Sequence, residues 1–469
     1  MLRYIIKKEI QEIITSPKFV FTFILCSILI LLSAYAGIVN YRAELKEYAT
    51  SVSLSEKDIA AQPSYVSLAT HPIRISKPPQ VLGTVVNGIE ESVGRVAPIS
   101  IASDPSLIES KYDGNPVFAV FGALDLMFIV KMVLSLFAIL FTYDAIVGEK
   151  EKGTLKLALS NNVPRDQFIL GKAIGGYICI LIPLLIPMAL SLVAMMIVPN
   201  MAFTGSDWLR LALIFLMFLF YLSVFFSLGL LVSARTSRSS TSFLILLFVW
   251  VIFVMVIPKV AVLAAAQINP IPSIHEISAN KDAFLQQLQM DGRGSYQKWY
   301  EEHKNEYDKD PKAFNENYLK YIDESSKILS SKLDSYNTAI ERDYQLKKRV
   351  QQSLAINLSR ISPASALSFG TMSLAQTGVE ECDRFLASLR AYKREYTKWL
   401  VVKVNRRAAP VKPGGTAKID LADMPRYRIE PESISSTLVR TIPDFVLMIV
   451  LIIVLFAGAY YSFRRYDVR

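Results

Sequence analysis

Six apolar runs, each long enough to cross a bilayer as a helix of about 20 residues, dominate this chain. They are Phe19–Val39, Val117–Tyr143, Phe168–Val198, Leu209–Val232, Phe243–Ala265 and Phe445–Phe463. Hydrocarbon offers the backbone no water, so each run must satisfy its own N–H and C=O groups, which a helix does. Of the 469 residues 52% are hydrophobic, and mean hydropathy is +0.34, the balance of a membrane protein rather than of one large soluble core. Two polar segments lie between the runs, 40–116 and 266–440, and the second is long enough to be a domain.

The formal net charge is +10. Much of the excess sits in short connectors and tails: Arg3, Lys7, Lys8 and Lys18; Lys150, Lys152, Lys156, Arg165 and Lys172; Arg235 and Arg238; Arg464, Arg465 and Arg469. The connector 199–207 on the opposite side has no Lys or Arg. By the positive-inside rule both termini are cytoplasmic and both large segments are external. This distribution makes the charge a topology signal, and nucleic acid is not an expected partner.

Ala34-Tyr35-Ala36 matches a small-residue cleavage pattern, but the preceding tail is long, amphipathic and partly acidic. The first run is therefore expected to stay as a transmembrane helix. The three cysteines are Cys26 and Cys179 in apolar runs and Cys382 outside, so no disulfide framework is expected.

Residues 1–18 form an interfacial amphipathic helix, with Leu2, Ile5, Ile6, Ile10, Ile13 and Ile14 near helical spacing and Lys7, Lys8, Glu9 and Glu12 mostly opposite. Ser16-Pro17 ends it. Segment 40–116 starts as a helical continuation and becomes rich in Pro, Ser and β-branched residues, which suggests a small mixed α/β lobe. Along 313–360 a stripe from Tyr318 to Leu358 recurs at i, i+3, i+4 and i+7, which predicts a helix about 70 Å long. A second stripe (Phe385, Leu389, Tyr392, Tyr396, Trp399, Val402) suits its antiparallel partner, and a shorter helix over 276–305 leads in. The apolar link from Ile361 to Phe369 is expected at the outer membrane surface, and the chain returns through 409–431.

The fold class is thus an all-α polytopic membrane protein. In chain order it has an interfacial helix (1–18), spans at 19–39, 117–143, 168–198, 209–232, 243–265 and 445–463, a mixed lobe (40–116), a cytoplasmic loop (144–167), a helical external domain (266–440) and a tail (464–469).

Two ionisable residues, Asp125 and Lys131, lie in the second run. Such groups cost several kcal/mol in a membrane and usually face protein or water. They read either as the polar lining of a pathway or dimer cavity, or as snorkelling or inter-helix pairing.

The connector after that run is Tyr143-Asp144-Ala145-Ile146-Val147-Gly148-Glu149-Lys150-Glu151-Lys152-Gly153-Thr154-Leu155. Glu149 to Lys152 make a charged knuckle, Gly153 reorients the chain, and Thr154 can cap a following helix whose Leu155, Leu157 and Leu159 offer apolar contacts. The G-x-x-x-x-G within it lacks the Lys and Ser/Thr of a phosphate loop, and no strand precedes it. No H-E-x-x-H, G-x-S-x-G or C-x-x-C pattern occurs, so neither ATPase chemistry, a hydrolytic centre nor a metal site is expected.

The pattern E-x-E-x-G-T-L, continued by Ser160, Pro164 and Gly171-Lys172, resembles the first cytoplasmic loop of ABC-2 type ABC-transporter permeases. The chain is most similar to the branch with large external insertions, which includes permeases of gliding motility and nitrous-oxide-reductase maturation. Ser362-Pro363-Ala364-Ser365-Ala366 and Leu374-Ala375-Gln376-Thr377-Gly378 are also family-like.

The resemblance implies a bacterial or archaeal cytoplasmic-membrane subunit and a second permease copy. It also implies separate cytosolic ABC ATPases that bind ATP and Mg, this chain holding no cofactor. Asp144, Glu149, Lys150, Glu151, Gly153, Thr154 and Leu155 would then form the ATPase-coupling loop. Export of a substrate is the leading expectation. The alternatives are mechanotransmission to a periplasmic or envelope partner, and a static receptor or scaffold.

Overall fold

A computed structural model describes residues 2–101, 104–110, 124–160, 164–199, 201–406, 419–429 and 431–466. Among these, six helices are long and apolar enough to cross a membrane: Pro17–Ala61, Leu126–Glu151, Arg165–Ile197, Gly205–Arg235, Ser239–Ile268 and Ile434–Arg464. They are called spans one to six. The start expected for the second span (117–123) and most of the expected return stretch (409–418, and 430) lie outside the described residues.

Helix α1 (Leu2–Ile14) precedes span one, whose start is set by Ser16: its side chain accepts from the Phe19 N–H, and Pro17 occupies the first turn. Span one is a single helix of 45 residues, about 68 Å at 1.5 Å per residue. It therefore outruns the hydrocarbon and carries the small lobe. That lobe contains α2 (Tyr65–Thr70), β1 (Ile73–Ser76), α3 (Glu90–Val93) and β2 (Val96–Ile99). The strands pair antiparallel with Ile73 opposite Ile99. Gly88 has φ +63°, and a Cβ there would lie 2.1 Å from the Thr377 carbonyl oxygen, so only glycine fits this close approach.

The chain divides into two compact units, Met1–Ile257 with Arg360–Arg469, and Pro258–Ser359. The segment expected as one domain, 266–440, is therefore split. In the second unit α4 (Ile274–Lys309) packs on α5 (Pro311–Ser359) as a helical hairpin. Phe284 stacks on Tyr336 at 3.7 Å, and Trp299 sits among Phe314, Tyr318 and Tyr321. The leading helix is thus the long helix's partner.

The stripe expected to fill that place lies on α6 (Val379–Arg406) and belongs to the first unit. Phe385, Leu389, Tyr392, Tyr396 and Leu400 form a core with Tyr65, Leu68, Ile73, Ala97 and Ile99 of the lobe. A helical stripe encodes which face is buried and not what buries it, and the lobe's apolar sheet face is the partner it meets. The same lobe holds an ionic knot: Lys77 against Glu90 and Glu381, and Arg95 against Glu44 at 2.5 Å and Glu90 at 3.0 Å. Burial opposes the charge on Arg95, but Glu90 and Glu44 outweigh it and push its pKa up.

The link at 361–369 is built into the helix bundle. Ser362 caps a helix, α7 (Pro363–Ala375), which packs between spans four and six. Pro363, Ala364, Ser365, Ala366, Leu367, Gly370, Thr371, Leu374 and Ala375 are all buried. A Cβ on Gly370 would meet Met217 of span four and Asp444 of span six. Those residues lie twelve and ten positions into their helices, so α7 reaches roughly 15–18 Å along the bundle. Its small side chains explain the depth, since they let helix backbones approach closely where no hydrophobic drive separates protein from lipid.

Three ties fix α7. Before it, Arg360 pairs with buried Asp444 at 2.7 Å. At its start, the Ser362 hydroxyl donates to the Phe253 carbonyl, inside a π-helical segment (Ile252–Val256) of span five. At its end, Arg210 of span four, 1% exposed, donates to the Leu374 carbonyl at 3.4 Å, to Thr437 Oγ1 at 3.0 Å and to the Glu432 carbonyl at 2.9 Å.

Candidate functional site

The cytoplasmic end of the second apolar helix and the connector that follows are built as two short helices, α8 (Val147–Glu151), which closes span two, and α9 (Thr154–Ser160). Gly153 turns the chain between them at φ +72° with open space around its Cα, a left-handed conformation that favours glycine. Thr154 is the first helical residue rather than a cap: its hydroxyl donates back to the Glu149 carbonyl at 3.4 Å.

The first half of the connector is anchored on two flanks. On one, the Ser233 hydroxyl at the end of span four accepts from the Ile146 and Val147 N–H groups at 3.0 and 3.1 Å. Lys150 donates to the Ala234 and Thr236 carbonyls, where a cation complements the negative end of the span-four helix. Glu151 accepts from the Ser239 N–H at 3.0 Å and from its hydroxyl at 2.5 Å. These bonds hold the exposed Glu151 carboxyl below the usual carboxylate range.

On the other flank, Lys172 of span three pairs with Glu149 at 2.8 Å and with Glu9 of α1 at 2.9 Å. Lys172 is 5% exposed and Glu9 8%. Burial pushes the Glu9 carboxyl above its ordinary pKa even against the Lys172 ammonium. Lys18 closes the ring of ties by pairing with Asp144 at 2.7 Å and donating to the Tyr143 hydroxyl at 3.0 Å.

The second half packs one face on the bundle through Leu155, Ala158 and Leu159 and exposes the other. Lys152, Gly153, Thr154, Lys156 and Leu157 are exposed, Leu157 to 65%, while Leu155 is buried to 1% and roots α9 in the bundle. The residues singled out from the sequence thus separate by position. Asp144, Glu149 and Lys150 face inward as anchors, Leu155 is core, Glu151 grips Ser239 from the surface, and Gly153 and Thr154 belong to the exposed tip.

Asp125 and Lys131 have different partners. Asp125 caps the described start of span two, accepting from the Phe128 N–H at 2.8 Å and from the Asn87 N–H of the lobe at 3.0 Å. Lys131 lies in a π-helical segment (Ile129–Leu134), and its ammonium donates to Ser368 of α7 at 3.4 Å. Its carbonyl accepts from the Tyr221 hydroxyl at 2.8 Å.

Glu9, which the sequence groups with Lys7, Lys8 and Glu12 mostly opposite the apolar residues of α1, does not share their exposure. It lies on the buried side, and its spacing from Leu2, Ile5 and Ile13 by seven, four and four residues is the signal that shows it. α1 packs on span three, where glycines make the seam: a Cβ on Gly171 would lie 2.5 Å from Ile5, and one on Gly175 would lie 2.9 Å from Glu9. Ser233 and Ser239 carry no signal in the sequence, because their role depends on where the turn between spans four and five lands.

This arrangement, six apolar helices with an anchored and tipped connector after the second, agrees with what comparison with known proteins finds. The chain is similar to the probable ABC transporter permease protein NosY of Stutzerimonas stutzeri, 30% identical over 149 residues, covering 29% of this chain and 51% of that protein. It spans about half the length of this curated relative. The family described as ABC-2 family transporter protein matches residues 3–468, and the chain therefore belongs to the ABC-2 transporter family.

Proposed function

We propose that this protein is the membrane permease subunit of an ABC transporter, and that the exposed half of its connector docks on a separate cytosolic ABC ATPase. The observation that carries the reading is the split of the connector: one half tied to spans one, three, four and five and to α1, the other half projecting an apolar residue among cations. A tip that projects while its root is gripped suits force transfer, because movement of the tip moves every element the root holds. The ATPase supplies ATP and Mg chemistry, a second copy of the permease completes the pathway, and the substrate is exported. Both termini face the cytoplasm, as the Lys and Arg distribution directs.

Leu157→Asp tests this. It places a charge where an apolar contact is expected and leaves the buried core of the bundle unchanged, Leu157 being 65% exposed. Membrane insertion and thermal stability stay as in the unaltered protein, while ATPase co-purification falls at least tenfold. Undiminished ATPase in the eluate would contradict the docking assignment.

A second reading, relay of ATPase motion to an envelope partner, is favoured by one observation: the helical hairpin of 36 and 49 residues is far larger than a loop needs to be. If it relays motion, removing its end (residues 290–335) abolishes function in cells and leaves ATP turnover unchanged. Full function without it would remove this reading and leave export.

A further inference from the structure

The group joining most distant parts of the connector end is a buried lysine. Lys172 lies between carboxylates from two other elements, Glu9 of α1 and Glu149 of α8, at 2.9 and 2.8 Å. The Phe168 ring, 5.6 Å away, packs one turn along the same helix. Side-chain burial is nearly complete, with 6% of Lys172, 11% of Glu9 and 17% of Glu149 exposed.

The two flanks of the connector differ in kind. The flank toward spans four and five is mostly hydrogen-bonded through Ser233, Ser239 and two backbone carbonyls. The flank toward span three and α1 is ionic. Coulomb attraction in a shielded site falls off as 1/r, whereas hydrogen bonds and van der Waals contacts weaken steeply within about 1 Å. An ammonium shared by two carboxylates therefore keeps pulling on both as the elements shift, and contact alone does not.

We propose that Lys172 is the positioning residue that transmits movement of the connector tip to α1 and span three, drawing both along through Glu149 and Glu9. This rests on the permease reading above and names the path of force within it. The glycine seam fits the role: Gly171 and Gly175 bring α1 against span three closely enough for the two to travel together.

The test uses the full-length protein, with its co-purified ATPase, in lipid nanodiscs. Three variants are compared: K172M, E9Q and the neutral triple E9Q/E149Q/K172M. Hydrogen exchange over Leu2–Ile14 reads the tie in the permease itself. Permease-stimulated ATP turnover, relative to the ATPase alone, reads coupling.

K172M is expected to speed exchange over α1 about a hundredfold, since it strands two buried carboxylates. It retains the ATPase, because the tip is untouched, and stimulation falls to the level of the ATPase alone. E9Q loses α1 protection about tenfold and lowers stimulation partly. The neutral triple recovers α1 protection in part, because no buried charge is left without a partner, but does not recover stimulation.

Stimulation of wild-type size in K172M, or restored in the triple, would overturn the proposal and leave the trio a packing feature. If the unaltered protein retains no ATPase, the permease reading fails separately. Unchanged α1 exchange in K172M would still refute the tie by itself.

Discussion

Asp444→Ala is expected to be the most damaging single substitution in the bundle. Asp444 is 1% exposed within span six and pairs with Arg360 through both carboxylate oxygens, at 2.7 and 3.2 Å. Taking away the carboxylate removes the bidentate partner of a guanidinium that is itself 22% exposed, so the cost stays below the about 3–5 kcal/mol of breaking a fully buried pair from one side. α7 loses its anchor at Arg360 and the packing of Gly370 against span six loosens.

The measurement is thermal unfolding of the detergent-purified protein, followed as the monodisperse fraction on size exclusion. A matched double substitution, Arg360→Met with Asp444→Leu, should recover part of the loss, because neither charge of this pair is then left behind. If Asp444→Ala unfolds with the unaltered protein, the ion pair contributes nothing and the account of α7 is wrong.

Arg210→Met strikes the other end of the same helix. Arg210 places its guanidinium at the C-terminal end of α7, where the helix dipole is negative, and bridges to Thr437 and the Glu432 carbonyl next to span six. Methionine fills much of the volume and donates nothing, so two carbonyls lose their donor at about 1–3 kcal/mol each. The expected result is a lower unfolding temperature, with protection from hydrogen exchange lost selectively over Leu374–Thr377. Arg210→Lys should restore one donor and only part of the protection, since it cannot reach three acceptors in a fork. Unchanged exchange at the end of α7 in Arg210→Met would remove Arg210 from this role.

Legibility in the sequence follows how local each signal is. The spans were readable because one run of apolar residues suffices to define each. The connector was readable as an exposed, charged element because its residues are contiguous. α7 was not readable as a bundle element: 13 residues rich in Ala and Ser are too short for a span. Its depth comes from Met217, Asp444 and Arg210, far away in the chain.

The partner of the 385–402 stripe was misassigned for the same reason, since its sheet lies about 300 residues earlier in the chain. In the candidate site, Glu149 and Lys150 read in the sequence as part of a charged knuckle of the coupling loop. The structure turns both inward, because Lys172, Ala234 and Thr236 converge there from two other spans. Only Gly153 stated its role locally, through the left-handed turn that separates anchor from tip.

Docking of an ABC ATPase on the exposed half of the connector is read out by a photo-crosslinking residue at position 157. It is activated in native membranes, and the adducts are identified by mass spectrometry. One predominant protein adduct, an ABC ATPase, is expected, and it is lost when the crosslinker is moved to the buried position 155. Adducts only with lipid, or only with another copy of this chain, would contradict this docking.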